Sequence, residues 1–229
     1  MVIRGVVLDM DDTLYLERDY VRSGFAAIAR DSGRSAAEID RIDAWLWAAF
    51  AAGVRGDTFD RLRDAFPEVA SRRSTAELVD VYRAHAPAIA LSDTTRETLD
   101  RLAAIGLRLG VLTDGPVAGQ SAKAAALGLD RWFDPIVLTG AADASYAKPG
   151  TAGFSRIATT WGLQGPALAY VGDNPAKDFV GPRRLGWTTV RLSRPGQLHH
   201  GVAPVDDDHR PDLVIDDLSA LIEALPLPS

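Results

Sequence analysis

Asp9, Asp11 and Asp12 stand together where an apolar run, Val6 to Leu8, comes to an end. Other groups capable of chemistry close similar runs further on: Thr113 and Asp114 before Gly115, Lys148 before Pro149, and Gly172-Asp173-Asn174, with Asp178 following in the same segment. Several carboxylates brought into one small space repel one another unless protons or a cation offset them. A hard divalent cation meets that need through oxygen ligands. One or two carboxylates, a backbone carbonyl and waters, often completed by a phosphate, form the Mg²⁺ pattern. Lys148 adds a second compensating charge. Asp9 and Asp11 share a side of an extended strand, so where the strand turns both can face one pocket, one attacking and the other handling a proton.

For these groups to meet, the runs that carry them must lie side by side. Six short runs rich in β-branched and aliphatic residues, at 2–8, 107–112, 135–138, 167–171, 187–192 and 213–215, alternate with helical patterns at 93–105, 116–127, 150–162, 176–185 and 217–224. That alternation predicts an α/β fold, a doubly wound, mostly parallel, Rossmann-like sheet with helices on both faces. In such sheets ligands bind beyond the carboxyl ends of the strands, where every group named above falls. Ser92 or Asp93 is the expected cap of the first of these helices, and Gly128 and Gly162 are expected helix stops.

Residues 16–91 are different in kind. Phe25, Ile28, Ile39, Ile42, Leu46, Phe50, Leu62, Phe66, Leu78, Val81 and Tyr82 recur there at helical spacing, with no convincing strand. The expectation is an all-helical cap domain at 16–91, inserted into a core made of 1–15 and 92–229 and placed over the aspartates. The stretch 193–211, rich in Pro, Gly, His and Asp, reads as a surface loop.

Composition limits the partners. With 229 residues, 47% hydrophobic and 24% charged, the chain can bury one good core plus an insertion. A net charge of -6 offers no footprint for nucleic acid or an anionic membrane. The absence of cysteine excludes disulfides, thiolate metal sites and cysteine nucleophiles. No apolar stretch reaches the length of a spanning helix and no leader is apparent, so the expected setting is the cytoplasm, as a monomer or homodimer acting on a small phosphorylated metabolite.

The four motifs "DMDDT", "LTDG", "AKP" and "GDNPAKD", in that order and each at a strand end or its loop, resemble those of the haloacid dehalogenase-like superfamily, and the helical insertion lies where that family places its type I cap. The resemblance implies a Mg²⁺-dependent phosphatase. Asp9 would attack phosphorus and become an aspartyl-phosphate. Asp11 would protonate the leaving oxygen and then activate water. Met10, Thr113, Asp114 and Lys148 would bind the phosphoryl group, with Lys148 also offsetting charge during transfer. The metal would be held by Asp9, Asp173 and the backbone carbonyl of Asp11, with Asp178 in an outer role orienting Lys148 or a metal-bound water. Asp114 departs from the asparagine common in the family. A dehalogenase is disfavoured, because that branch lacks the acid at the position of Asp11. A phosphomutase uses the same aspartates and stays open as the alternative. A non-catalytic phospho-ligand binder or signalling receiver is a more distant one, since there the lysine comes last in the chain.

Other residues are read more plainly. Asp12 and Thr13 shape the entry to the next helix. Lys177 is expected to face solvent. Trp45 and Trp47 are expected to pack within the cap, and Arg18, Arg22, Arg55, Arg61 and Arg63 mostly to be solvated, although any of them could meet an anion. His199 and His200 are expected to be exposed in the late loop and receive no role.

Overall fold

A computed structural model describes residues 1–228 of the protein. Six strands form one sheet: β1 (Gly5–Leu8), β2 (Arg108–Thr113), β3 (Ile136–Leu138), β4 (Leu168–Gly172), β5 (Thr188–Leu192) and β6 (Leu213–Ile215). Their order is β3-β2-β1-β4-β5-β6 and every neighbouring pair is parallel. The apolar character of the runs follows from this position: β1 and β4 are buried along their whole length. Val7 is registered with Gly110 on one side and Tyr170 on the other, so β1 lies at the centre of the sheet, where the strand order reverses. The carboxyl ends of β1 and β4 flank that reversal, the place where open α/β sheets bind ligands.

The helices are α1 (Glu17–Ser32), α2 (Ala36–Ala51), α3 (Thr58–Ala65), α4 (Pro67–Ala70), α5 (Thr75–Ala84), α6 (Asp93–Ala104), α7 (Val117–Leu127), α8 (Ala152–Trp161), α9 (Val180–Arg184) and α10 (Leu221–Ala224). Ser92 caps α6 by accepting from the Thr95 N–H. Gly128 and Gly162 end α7 and α8 in the left-handed conformation, at φ 64° and 62°, as their composition predicts. The helix expected at 176–185 is shorter. Residues 175–179 form turns, and α9 begins only at Val180, because Pro182 has no N–H to offer the Asp178 carbonyl one turn back.

The chain divides into two units, Met1–Arg18 with Ala90–Ser229 and Asp19–Ile89, with the boundary falling inside α1. The sheet unit has a core of Val7, Leu112, Phe154, Ile157, Trp161, Leu168, Tyr170 and Trp187, in which Phe154 meets Tyr170 and Trp187 edge to face. The helical unit has its own core of Phe25, Ile28, Ile42, Leu46, Leu62, Phe66, Val69 and Leu78, residues at helical spacing in the sequence. Each fully buried aliphatic side chain of this kind contributes about 1.5–3 kcal/mol. Trp45 packs on Phe66 and Trp47 stacks on Phe50, within that unit as expected. Arg22 pairs with Asp43, Arg61 with Asp57, Arg55 bonds the carbonyls of Phe50 and Val54, and Arg63 bonds that of Arg73. Among the described residues, no helix is long and apolar enough to cross a membrane.

Candidate active site

Asp9 continues the line of β1, its N–H donating to the Val171 carbonyl at 2.9 Å. The chain then turns sharply, the Met10 carbonyl accepting from Leu14, while the Met10 side chain is fully buried in the core. Asp12 sits in the left-handed region at φ 53°, a conformation that costs a non-glycine residue about 1–2 kcal/mol. Three bonds hold it there. Its carboxylate accepts from the N–H of Glu17 at 2.8 Å and of Leu198 at 2.6 Å, and its carbonyl accepts from Gln197 Nε2 at 2.6 Å. Part of the stretch read as a surface loop therefore folds inward: Gln197 is buried and ties the late loop to the turn that carries Asp9 and Asp11.

Lys148 lies beneath that turn, fully buried. Its Nζ is 2.9 Å from Asp9, 2.8 Å from Asp178 and 3.0 Å from the Tyr170 hydroxyl. Burial alone would disfavour its charge, but the Asp178 and Asp9 carboxylates outweigh burial and hold the ammonium well above the ordinary lysine range. Asp178 uses one oxygen for Lys148 and the other for the Asn174 N–H, so both are engaged. Asp173 contrasts with it: its Oδ2 is buried without a hydrogen-bond partner. Burial, with Asp178 and Asp9 adding to it, pushes the Asp173 carboxyl up to about 9. Burial also pushes Asp9 up to about 6, against the pull of Lys148.

Carboxylate oxygens of Asp9, Asp173 and Asp178 lie within 4.8 Å of one another. A buried acid with an orphaned oxygen, beside two more carboxylates, is a donor set that suits a hard divalent cation. The engagement of both Asp178 oxygens leaves Asp9 and Asp173 as the side chains fitted to hold it directly.

At the end of β2, the Thr113 Oγ1 accepts from Gln120 Nε2 at 2.5 Å. Asp114 accepts from Thr139 at 2.8 Å and from the Lys148 N–H at 3.2 Å, and its other oxygen is 3.3 Å from Lys177 Nζ. Burial would raise the Asp114 carboxyl, yet Lys148 and Lys177 outweigh it and hold it below the ordinary range. The Asp11 carboxylate accepts from Lys123 Nζ at 2.8 Å, from Gln120 Nε2 at 3.0 Å and from the Tyr15 hydroxyl.

A cleft of about 130 Å³ collects these groups. It is lined by Asp9, Asp11, Glu17, Thr113, Asp114, Asp173, Asn174, Lys177 and His199. Two roomier surface hollows lie elsewhere: in one, lined by Arg34, Arg41, Arg72, Glu38 and Glu68, Arg41 pairs with Glu68 and Arg72 with Glu38, and the other, about Thr159 and Leu185, has no charged side chain in its lining. Two expectations are corrected here. Lys177 does not simply face solvent, because the charge on Asp114 draws it into the cleft. His199 is not an idle loop residue: Asn174 Nδ2 lies 3.1 Å from His199 Nε2, and the Asn174 carbonyl oxygen is fixed by the Ala176 N–H, so the amide presents its NH₂ to the ring. His200 stays exposed. Glu17 is a third addition, its carboxyl pushed up to about 7 by burial and by Asp11. Asp114 carried the one available signal for Lys177, a charge needing a partner; nothing in the sequence marks His199 or Glu17.

The arrangement provides a carboxylate beside a buried cation, a second carboxylate two residues on, and hydroxyl and ammonium groups facing the same small space. A family model described as haloacid dehalogenase-like hydrolase matches residues 3–186. The glyceraldehyde 3-phosphate phosphatase of Methanocaldococcus jannaschii is 25% identical over 227 residues, 97% of this chain and 96% of that protein. The phosphoglycolate phosphatase of Yersinia pestis is 25% identical over 236 residues, 99% of this chain and 95% of that one. The phosphoserine phosphatase of Thermus thermophilus is 34% identical over a shorter stretch of 122 residues, 52% of this chain and 46% of that one. Among solved structures, YfnB from Bacillus subtilis, bound to magnesium, superposes with a TM-score of 0.68 at 19% identity, covering 99% of this chain and 100% of that one.

Proposed function

This chain belongs to the haloacid dehalogenase-like hydrolases, and from that premise we propose that it is a phosphatase acting on a small phosphomonoester through an aspartyl-phosphate formed on Asp9. The observation that carries the reading is the pairing of Asp9 with a fully buried lysine at 2.9 Å, beside the unpartnered oxygen of Asp173. Asp9 attacks phosphorus as the ester P–O bond breaks, and Asp11 gives a proton to the departing oxygen. In the second step a water oxygen bonds to phosphorus, its proton passes to Asp11, and the bond to Asp9 breaks. Thr113 donates to the phosphoryl oxygens, with the backbone at Met10 and Asp114 at the same edge. Lys148 balances charge at the attacking carboxylate, and Asp178 keeps Lys148 in place.

Mg²⁺, held by Asp9, Asp173 and the Asp11 carbonyl, would supply electrostatic stabilisation to the phosphoryl oxygens. On the same reading the helical unit Asp19–Ile89 serves as the cap, and the substrate falls in the class named for the relatives, glyceraldehyde 3-phosphate, phosphoglycolate or phosphoserine. The test is release of inorganic phosphate from 4-nitrophenyl phosphate and from those three compounds, with Mg²⁺ or with EDTA, by the protein and by Asp9→Asn. Mg²⁺-dependent release that the variant lacks is the expected result. Release that survives Asp9→Asn, or an isomerised phosphoester in place of free phosphate, refutes it.

A further inference from the structure

We propose that Gln120 and Lys123, one turn apart on α7, are positioning residues for proton transfer at Asp11; the assignment rests on the phosphatase reading of the site. Both are buried polar side chains on a helix whose other residues are mostly small and apolar, Val-Ala-Gly-Gln-Ser-Ala-Lys-Ala-Ala-Ala-Leu. Residues three apart on a helix share a face, and this face meets Asp11 and Thr113, which line the cleft. The Gln120 amide has two N–H groups and spends them on two different partners, Thr113 Oγ1 at 2.5 Å and Asp11 Oδ2 at 3.0 Å. Lys123 Nζ holds the other oxygen of Asp11 at 2.8 Å.

Two consequences follow from the donor and acceptor roles. Because Thr113 Oγ1 accepts from Gln120, its own hydrogen is left to donate elsewhere, and Thr113 lines the cleft beside Asp9. The Asp11 carboxylate, accepting from α7 at both oxygens, is held in one orientation next to the nucleophile. Gln120 thereby joins the hydroxyl that would bind the phosphoryl group to the carboxyl that would move the proton. A misplacement of about 1 Å at such a group is enough to cost on the order of 100-fold in rate.

A role confined to packing α7 would lower all activity alike, whereas a role in positioning Asp11 falls hardest on substrates whose leaving oxygen needs a proton. The experiment compares kcat/KM for 4-nitrophenyl phosphate, whose phenolate departs unaided, with that for glycerol phosphate, whose alkoxide does not. For Lys123→Met and Gln120→Leu the ratio of aryl to alkyl kcat/KM is expected to rise about tenfold or more, a fraction of the 10²–10⁴ that acid catalysis contributes. Lys123→Arg, which keeps a donor, should return the ratio to within about threefold of the unmodified protein. Where Lys123→Met proves too unstable to assay, Gln120→Leu and Lys123→Arg carry the comparison. An unchanged ratio in the variants, with both substrates slowed equally, overturns the assignment. An unmodified protein that releases phosphate from neither of these substrates nor from glyceraldehyde 3-phosphate, phosphoglycolate or phosphoserine overturns instead the phosphatase reading beneath it.

Discussion

The buried Asp173 carboxyl makes the stability of the metal-free protein depend on pH in a direction opposite to that of a salt-bridged aspartate. An aspartate in the unfolded chain loses its proton near 3.8, whereas the folded protein keeps a proton on Asp173 up to about 9. Between those values the folded state holds the extra proton. Stability is therefore fully present at the acid end of the window and declines as pH rises through it. Asp9, raised to about 6, and Glu17, raised to about 7, add to the decline lower down, so above pH 7 Asp173 accounts for it. One proton corresponds to about 1.4 kcal/mol per pH unit, or about 2 kcal/mol between pH 7 and 8.5. In a chain of this length that lowers Tm by about 4–8 °C. The assay is a thermal melt in EDTA at half-unit steps, repeated with Mg²⁺ and with Asp173→Asn. Mg²⁺ at about a thousandfold its Kd should restore about 4 kcal/mol, more visibly at pH 8.5 than at 7 because the ion replaces the proton. Asp173→Asn should flatten the slope and abolish the Mg²⁺ response. A Tm that holds steady or rises from pH 7 to 8.5 in EDTA would refute the reasoning.

Lys148→Met should leave Asp9 and Asp178 facing each other without their cation, at a cost of about 3–5 kcal/mol, read as a lower urea midpoint with an unchanged m-value; a loss below about 1 kcal/mol would contradict the burial seen here. Gly172→Ala would put a Cβ 2.5 Å from Asp178 Oδ2, which is already committed to Asn174. That crowding should destabilise by about 1–3 kcal/mol and lower kcat more than it raises KM, and wild-type kinetics from the alanine variant would count against a fixed Asp178.

The six strands were legible because each is an apolar run bounded by turn residues, and their ends were legible because the apolar run gives way abruptly to a polar residue at Asp9, Thr113 and Asp173. The shortness of α9 was not. Residues 176–185 have helical spacing, and how far Pro182, which has no N–H to give, shortens the helix depends on the turn that Lys177 and Asp178 make by donating to the Asn174 carbonyl. Gln120, Lys123, Lys177, Glu17 and His199 escaped for a related reason. Each is an ordinary polar residue whose place depends on which face its helix or loop turns toward the strand ends. Periodicity distinguishes apolar faces, and a polar residue buried for a purpose looks the same in sequence as one left in water. His199 is the clearest case: its position follows from contacts that Gln197 and Leu198 make with Asp12, across most of the length of the chain.

Those contacts bear on the order in which the enzyme can come into being. Asp9 is synthesised well ahead of its neighbours in the fold, because β1 beside it pairs with strands made about a hundred residues and more later. The strained turn at Asp12 gains two of its three bonds only when Gln197 and Leu198 arrive. Before they arrive, Asp12, in the turn that carries Asp9 and Asp11, has of these three only the Glu17 bond to its side chain. A nascent chain synthesised only as far as Asp178 carries every motif and still lacks Gln197 and Leu198, which bond the turn at Asp12.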